Sequence, residues 1–177
     1  MAQVSTPSSI NSMIFGPEVD DLLPDLFDSY ADKLQLVNET WCNYGGRTIF
    51  AGEVVTVSCF EDNSKVKAQL ALPGVGKVLV VHGQGSFAKA LLGDMIAKSA
   101  LDNGWEGIVI YGCIRDAGAI AKMPIGVKAL GVTPIKTQKR DLGELNVTLE
   151  IGQVSIKPGM MLYADLNGIA ISESVLS

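Results

Sequence analysis

Residues 77–113, KVLVVHGQGSFAKALLGDMIAKSALDNGWEGIVIYGC, decide the fold. The apolar run from Lys77 ends in His82-Gly83-Gln84-Gly85, as a strand buried on both faces does when it runs into a tight turn. From about Ser86 the apolar spacing predicts a helix that stops at Asn103-Gly104. GIVIYGC (107–113) is a second apolar run, so the stretch reads as a β-α-β unit within a parallel sheet.

On the C-terminal side, RDAGAIAKM (115–123) predicts a short helix with Asp116 near its start. IGVKALGV (125–132) is a third strand, and LNVTLEIGQVSIKPGMMLYADLNGIAIS (145–172) gives several short strands joined by Gly-containing turns. On the N-terminal side, RTIFAGEVVTVSCFED (47–62) alternates like a hairpin or bulged pair divided at Gly52. PEVDDLLPDLFDSYADKL (17–34) predicts two short helices interrupted by Pro24. The expected architecture is α/β, a core sheet with extra antiparallel strands in one domain over 1–177, with 1–19 a flexible N-terminal segment.

Composition narrows the function. Hydrophobic residues make up 47% of the chain, enough for a well-filled core or an oligomer with apolar contacts. A net charge of −5 with no Lys/Arg cluster argues against direct nucleic-acid binding, which rests on paired cations. The aliphatic runs are far shorter than a membrane span and the N-terminus lacks a signal pattern, so the expected location is cytoplasmic with no membrane partner. Cys42, Cys59 and Cys113 show no CxxC spacing and are expected as reduced thiols. His82 is the only histidine, so any metal would rely on oxygen ligands and be hard, such as Mg²⁺ or Mn²⁺.

In open parallel sheets, ligands sit where strands end and helices begin. Two such places occur. Gly83, Gly85 and Ala88 form G-x-G-x-x-A, the spacing of a dinucleotide turn, but the second strand ends in Gly112-Cys113 instead of the acidic residue that would hold a ribose. The glycines equally suit a plain tight turn, and His82 a hydrogen-bonded structural role. The second place is Arg115-Asp116: a planar fork for a carboxylate or oxyanion beside a carboxylate that can anchor a cation or cap a helix. Asp94 falls on the predicted helix side shared by residues 87, 91 and 101, and an i,i+4 ion pair with Lys98 is its simplest alternative role.

Twenty residues separate Asp94 from Arg115-Asp116, giving D-x20-R-D. With GGRTIFAGEVVTV (45–57), GQGS (83–86), LLGDMIA (91–97), GWEGIVIYGCIRD (104–116), IGVKALGVTP (125–134) and MLYADLNGIAIS (161–172), the chain resembles the RraA-like family over about residues 20–175. That resemblance implies a swivelling β/β/α domain assembled as a ring-like homotrimer. It implies a divalent-metal-dependent pyruvate aldolase that cleaves 4-hydroxy-4-methyl-2-oxoglutarate or 4-carboxy-4-hydroxy-2-oxoadipate and decarboxylates oxaloacetate. By the same resemblance Asp116 holds the metal, largely through water, and Arg115 contacts a substrate oxygen. Gly93, Asp94, Met95 and Ile96 then line the substrate carboxylate. With no second histidine in the chain, a metal-bound water oriented by Asp94 is the expected base. Other members regulate ribonuclease E by binding it, and the well-known regulator type lacks the aspartate after the arginine, which this chain keeps. Some members carry a demethylmenaquinone methyltransferase label. Many relatives have Asp-Gly-Gly-Gly where this chain has His82-Gly83-Gln84-Gly85, a departure that bears on substrate preference.

Overall fold

The computed structural model describes residues 19–176. In chain order these form α1 (Leu23–Tyr30), β1 (Gln35–Leu36), β2 (Cys42–Asn43), β3 (Phe50–Ser58), α2 (Ser64–Leu70), β4 (Lys77–His82), β5 (Ala90–Leu92) and α3 (Asp94–Asp102). There follow β6 (Gly107–Ile114), α4 (Ala117–Ile120), β7 (Gly126–Val132), β8 (Glu144–Leu145), β9 (Leu149–Ile151), β10 (Val154–Ile156), β11 (Met161–Asp165) and β12 (Gly168–Ser172).

Parallel strands β3, β4, β6 and β7 make the centre of the main sheet. Antiparallel β11, β12 and β1 extend it on one side and β2 on the other, in the order β1-β12-β11-β3-β4-β6-β7-β2. Alternation sorts the side chains into two cores. Val57, Leu79, Val81, Ile108, Ile110, Val127 and Ala129 face helices α2 and α3, where Val66, Leu70, Ala97 and Ala100 complete the packing. Val54, Val78, Val80 and Val109 face the separate β9–β10 hairpin through Leu149, Ile151, Val154 and Ile156. The result is a β/β/α layering in which each fully buried aliphatic side chain contributes about 1.5–3 kcal/mol.

The sheet is strongly curled. Laid flat, its eight-strand path would separate β1 from β2 by about 34 Å. Residues 37–41, which join those two strands, span only about 20 Å even when extended. Phe50 plugs the inside of the curl, and a Cβ at either Gly107 or Gly126 would collide with its ring. Lys128, two residues along β7 from Gly126, shares that inner face and is only 1% exposed. Burial lowers its pKa to about 8, against the smaller raising influences of Asp165 and Cys42.

Several local expectations are corrected. Of the two helices expected across 17–34, the described residues hold one, and Pro24 lies within its first turn, where its missing N–H costs nothing. The expected hairpin over 47–62 is a single nine-residue strand, β3. Gly52 is a point of close approach instead of a turn, since a Cβ there would lie 2.7 Å from the Gly76 carbonyl oxygen. The helix expected from Ser86 begins only at Asp94, because Ala90–Leu92 form β5 and pair with the end of β6. The expected flexible segment 1–19 lies, except for Val19, outside the described residues. All three cysteines are free. Among the described residues no helix is long and apolar enough to cross a membrane.

Candidate functional site

The parallel arrangement brings the C-terminal ends of β4 and β6 to one edge of the sheet, where β6 delivers Arg115 and Asp116. The Arg115 N–H donates to the Leu92 carbonyl at 2.9 Å, fixing the end of β6 beside the end of β5. Asp116 then turns left-handed at φ 57°, a conformation that Asp tolerates better than most residues. That turn aims its carboxylate back at α3. Asp116 Oδ2 accepts the Asp94 N–H at 3.0 Å and lies 3.7 Å from Arg115 Nε.

Asp116 thus caps α3 from a separate element, placing negative charge at the positive end of the helix. The Gly93 carbonyl accepts the Ala97 N–H at 3.0 Å, which leaves the Met95 and Ile96 N–H groups without intrahelical acceptors. Gly93 is required by proximity: an added Cβ would sit 2.8 Å from Asp116 Oδ2 and 3.3 Å from Arg115 Nε. The structure therefore brings Gly93, Asp94, Met95, Ile96, Arg115 and Asp116 together. The expected alternative for Asp94 does not form, because Lys98 pairs with Asp102 one turn further on. Among the described residues no partner engages the Asp94 carboxylate.

Gly93–Ile96 and Arg115 form one wall of a pocket of about 270 Å³. The other lining residues were not found from the sequence: Asn63 at the N-cap of α2 and Lys67 in its last turn, with Lys136, Thr137 and Lys139 from the segment after β7. Three lysines and Arg115 against the single carboxylate of Asp94 make a site for a multiply charged anion. Hydrogen bonds from both β5 and the α2 end hold that segment. The Ala90 N–H donates to the Ile135 carbonyl at 2.8 Å. Asp62, 1% exposed, accepts hydrogen bonds from the Ser64 hydroxyl and N–H and from the Arg140 and Leu142 N–H groups. Burial pushes the Asp62 carboxyl up, but those four donors prevail and bring it to about 2. Burial, reinforced by Asp62, raises the neighbouring Cys59 thiol to about 12, which makes it inert as a nucleophile.

Among the described residues no three His, Cys, Asp or Glu side chains cluster as a metal cage. Asp116 offers one carboxylate whose Oδ2 is engaged by Asp94 and whose other oxygen meets no donor among the described residues. That donor set fits a hard divalent ion held by one protein oxygen and otherwise by water or substrate.

The glycine turn after β4 has a different construction from a dinucleotide loop. The Gly83 and Gly85 N–H groups both donate to the Tyr111 carbonyl, at 2.9 and 3.2 Å, so neither is available to a pyrophosphate, and no helix starts at Ala88. A Cβ at Gly83 would strike Leu91, so the plain tight-turn reading holds. His82 Nδ1 accepts the Gln84 N–H at 3.1 Å and its ring stands edge-on to Tyr111, a structural role.

A family model, RraA-like (Aldolase/RraA), matches residues 20–171. A protein of Shewanella oneidensis named "Putative 4-hydroxy-4-methyl-2-oxoglutarate aldolase" is 59% identical over 157 residues, 89% of this chain and 96% of that protein. A crystal structure described as S-adenosylmethionine: 2-dimethylmenaquinone methyltransferase from Geobacillus kaustophilus HTA426 superposes with TM-score 0.86 at 42% identity, covering 88% of this chain and 97% of that one. A structure described as the RNA-processing inhibitor RraA from Thermus thermophilis superposes with TM-score 0.85 at 38% identity, covering 89% of this chain and 95% of that one.

Proposed function

Because the chain belongs to the RraA-like family, we propose that its cationic pocket is the active site of a pyruvate-releasing aldolase acting on 4-hydroxy-4-methyl-2-oxoglutarate and related 2-keto acids such as 4-carboxy-4-hydroxy-2-oxoadipate. The observation that carries this reading is the pocket in which Arg115 and the N-terminus of α3 meet three lysines, with Asp116 bonded to the Asp94 N–H beside it.

Retro-aldol cleavage breaks the C3–C4 bond as the 4-hydroxyl loses its proton. The electron pair passes into the 2-keto group as an enolate, and protonation at C3 then gives pyruvate. Arg115 contributes a fixed positive charge beside the developing enolate oxygen. The Met95 and Ile96 N–H groups at the head of α3 receive the carboxylate of the pyruvyl half. Asp94, with its carboxylate unengaged, orients the water that removes the 4-hydroxyl proton. Asp116 would hold a Mg²⁺ or Mn²⁺ ion, which supplies Lewis-acid charge to the keto and carboxylate oxygens. Lys67, Lys136 and Lys139 balance the charge of the distal carboxylate. Oxaloacetate decarboxylation needs the same enolate stabilisation, with carbon dioxide leaving in place of the second keto acid.

This reading carries with it one domain, a cytoplasmic location and a homotrimer. Pyruvate release from 4-hydroxy-4-methyl-2-oxoglutarate and from oxaloacetate, with Mg²⁺, Mn²⁺ or EDTA, tests it. Wild type should release pyruvate only with metal and Asp116→Ala should release none; no pyruvate from wild type under any condition would refute the aldolase. A second reading, a regulator that binds ribonuclease E, draws on the likeness to the RNA-processing inhibitor and predicts retention of the chain by the ribonuclease.

A further inference from the structure

Asn63 occupies the N-cap position of α2, where an Asn side chain ordinarily caps its own helix. Here it does not. The Ser64 N–H at the helix start is taken by Asp62 Oδ1 at 2.9 Å, and the Asn63 side chain makes no cap hydrogen bond. Its carbonyl oxygen instead accepts the Thr137 hydroxyl at 2.7 Å across the base of the lysine wall. Both side chains are more than nine-tenths buried, Asn63 at 7% and Thr137 at 5% exposed. Both also line the pocket that Arg115 lines. Engaging Oδ1 turns the Asn63 NH₂ group away from Thr137, and among the described residues no acceptor meets it. The NH₂ group is not sealed off, because no buried side-chain nitrogen or oxygen among the described residues lacks a partner, so it is open to whatever enters the pocket that Asn63 lines.

We propose that Asn63, locked by Thr137, is a specificity-determining residue that donates a hydrogen bond to the distal, non-pyruvyl carboxylate of the substrate. The proposal rests on the aldolase reading. Asn63 and Arg115 line one pocket from separate elements, and the proposal places the pyruvyl end of a bound keto acid at Arg115 and its other end at Asn63. Lysines alone attract any anion. A single oriented amide distinguishes a ligand long enough to reach it from one that ends at Arg115. Losing such a hydrogen bond to a charged group corresponds to about a tenfold loss in affinity or more.

The test is steady-state kinetics of Asn63→Ala, Asn63→Asp and Thr137→Val with 4-hydroxy-4-methyl-2-oxoglutarate. It is paired with inhibition by oxalate, which fills only the pyruvyl end, and by 2-oxoglutarate, which reaches further. Asn63→Asp keeps an acceptor for Thr137 but presents a carboxylate to the substrate, so a merely structural Asn63 makes this variant milder than Asn63→Ala. The proposal requires the reverse: KM up about tenfold in Asn63→Ala and more in Asn63→Asp, and a few-fold in Thr137→Val. Inhibition by 2-oxoglutarate should weaken in step, with oxalate inhibition and kcat nearly unchanged. Asn63→Asp no worse than Asn63→Ala, or equal weakening of oxalate and 2-oxoglutarate, overturns it. Thr137→Val, which preserves side-chain shape, keeps the test decisive if an Asn63 variant does not fold: an unchanged KM there also overturns it. Failure of the aldolase reading is separable, since wild type itself would then release no pyruvate.

Discussion

Replacing Gly93 by alanine acts chiefly through one close approach, to Asp116, with a milder one to Arg115 Nε at 3.3 Å. Its φ of −129° and ψ of −175° are open to any residue, so the variant carries no backbone strain. The new Cβ would stand 2.8 Å from Asp116 Oδ2, whereas ordinary contact begins near 3.4 Å, so the carboxylate must retreat by about 0.6 Å. A retreat of that size stretches the 3.0 Å hydrogen bond from the Asp94 N–H to about 3.6 Å, beyond useful length. A hydrogen bond to a charged acceptor is worth about 1.5–3 kcal/mol. If Asp116 acts from the position that this bond defines, kcat/KM for pyruvate release should fall about ten- to hundredfold. The Mn²⁺ concentration for half-maximal activity should rise alongside. Gly118→Ala on α4 is the control, because its Cβ meets nothing within 4 Å and should leave activity unchanged. Wild-type kcat/KM in Gly93→Ala, with the substitution verified and the fold intact, would refute the argument that the position of Asp116 matters.

Two further outcomes concern stability. Lys128 titrates at about 8 when folded against an ordinary 10.5, so the unfolded chain holds the extra proton between those values, and stability should rise by about 3 kcal/mol as pH climbs through that window. Urea unfolding of Lys128→Met should lack that rise, and the difference between the two curves removes the opposing loss from Cys59, whose raised thiol pKa acts the other way; parallel curves would contradict the cost assigned to the buried ammonium. Asp62 is depressed from 3.8 to about 2, so its stabilisation of about 2 kcal/mol is present above pH 4 and disappears as pH falls through 2; Asp62→Asn should lose that acid dependence and should loosen the lysine wall, read as a higher KM.

The parts of the fold legible in the sequence were those set by uninterrupted burial. Strands β4, β6 and β7 are apolar runs because both faces of a central parallel strand are covered. The misread parts are places where a neighbour overrules local pattern. Ala90, Leu91 and Leu92 carry helical spacing into α3, yet all three are buried, which the end of β6 accommodates as a strand and one side of a helix cannot. Gly52 looks like a turn but answers to a carbonyl on the adjoining segment. The site divides in the same manner. Asp94, Arg115 and Asp116 stand at a recognisable spacing, whereas Asn63, Lys67, Lys136 and Lys139 are brought together by hydrogen bonds, those of Asp62 and Thr137 among them, across more than seventy residues, as in Thr137 to Asn63 at a separation of 74. No local signal marks that contact.

The curl of the sheet also bears on the order in which the chain can assemble during synthesis. β1 finds its partner only in β12, and α1 packs through Leu23 and Leu26 against Tyr163 and Ala170 of the last two strands. The inner flank of β3 likewise waits for β11. By contrast, β3, β4, β6 and β7, with α2 and α3, can pair in the sequence in which they leave the ribosome. Residues 19–50 therefore emerge before their partners exist, and a nascent chain halted near residue 160 would hold a parallel half-sheet with an uncovered edge.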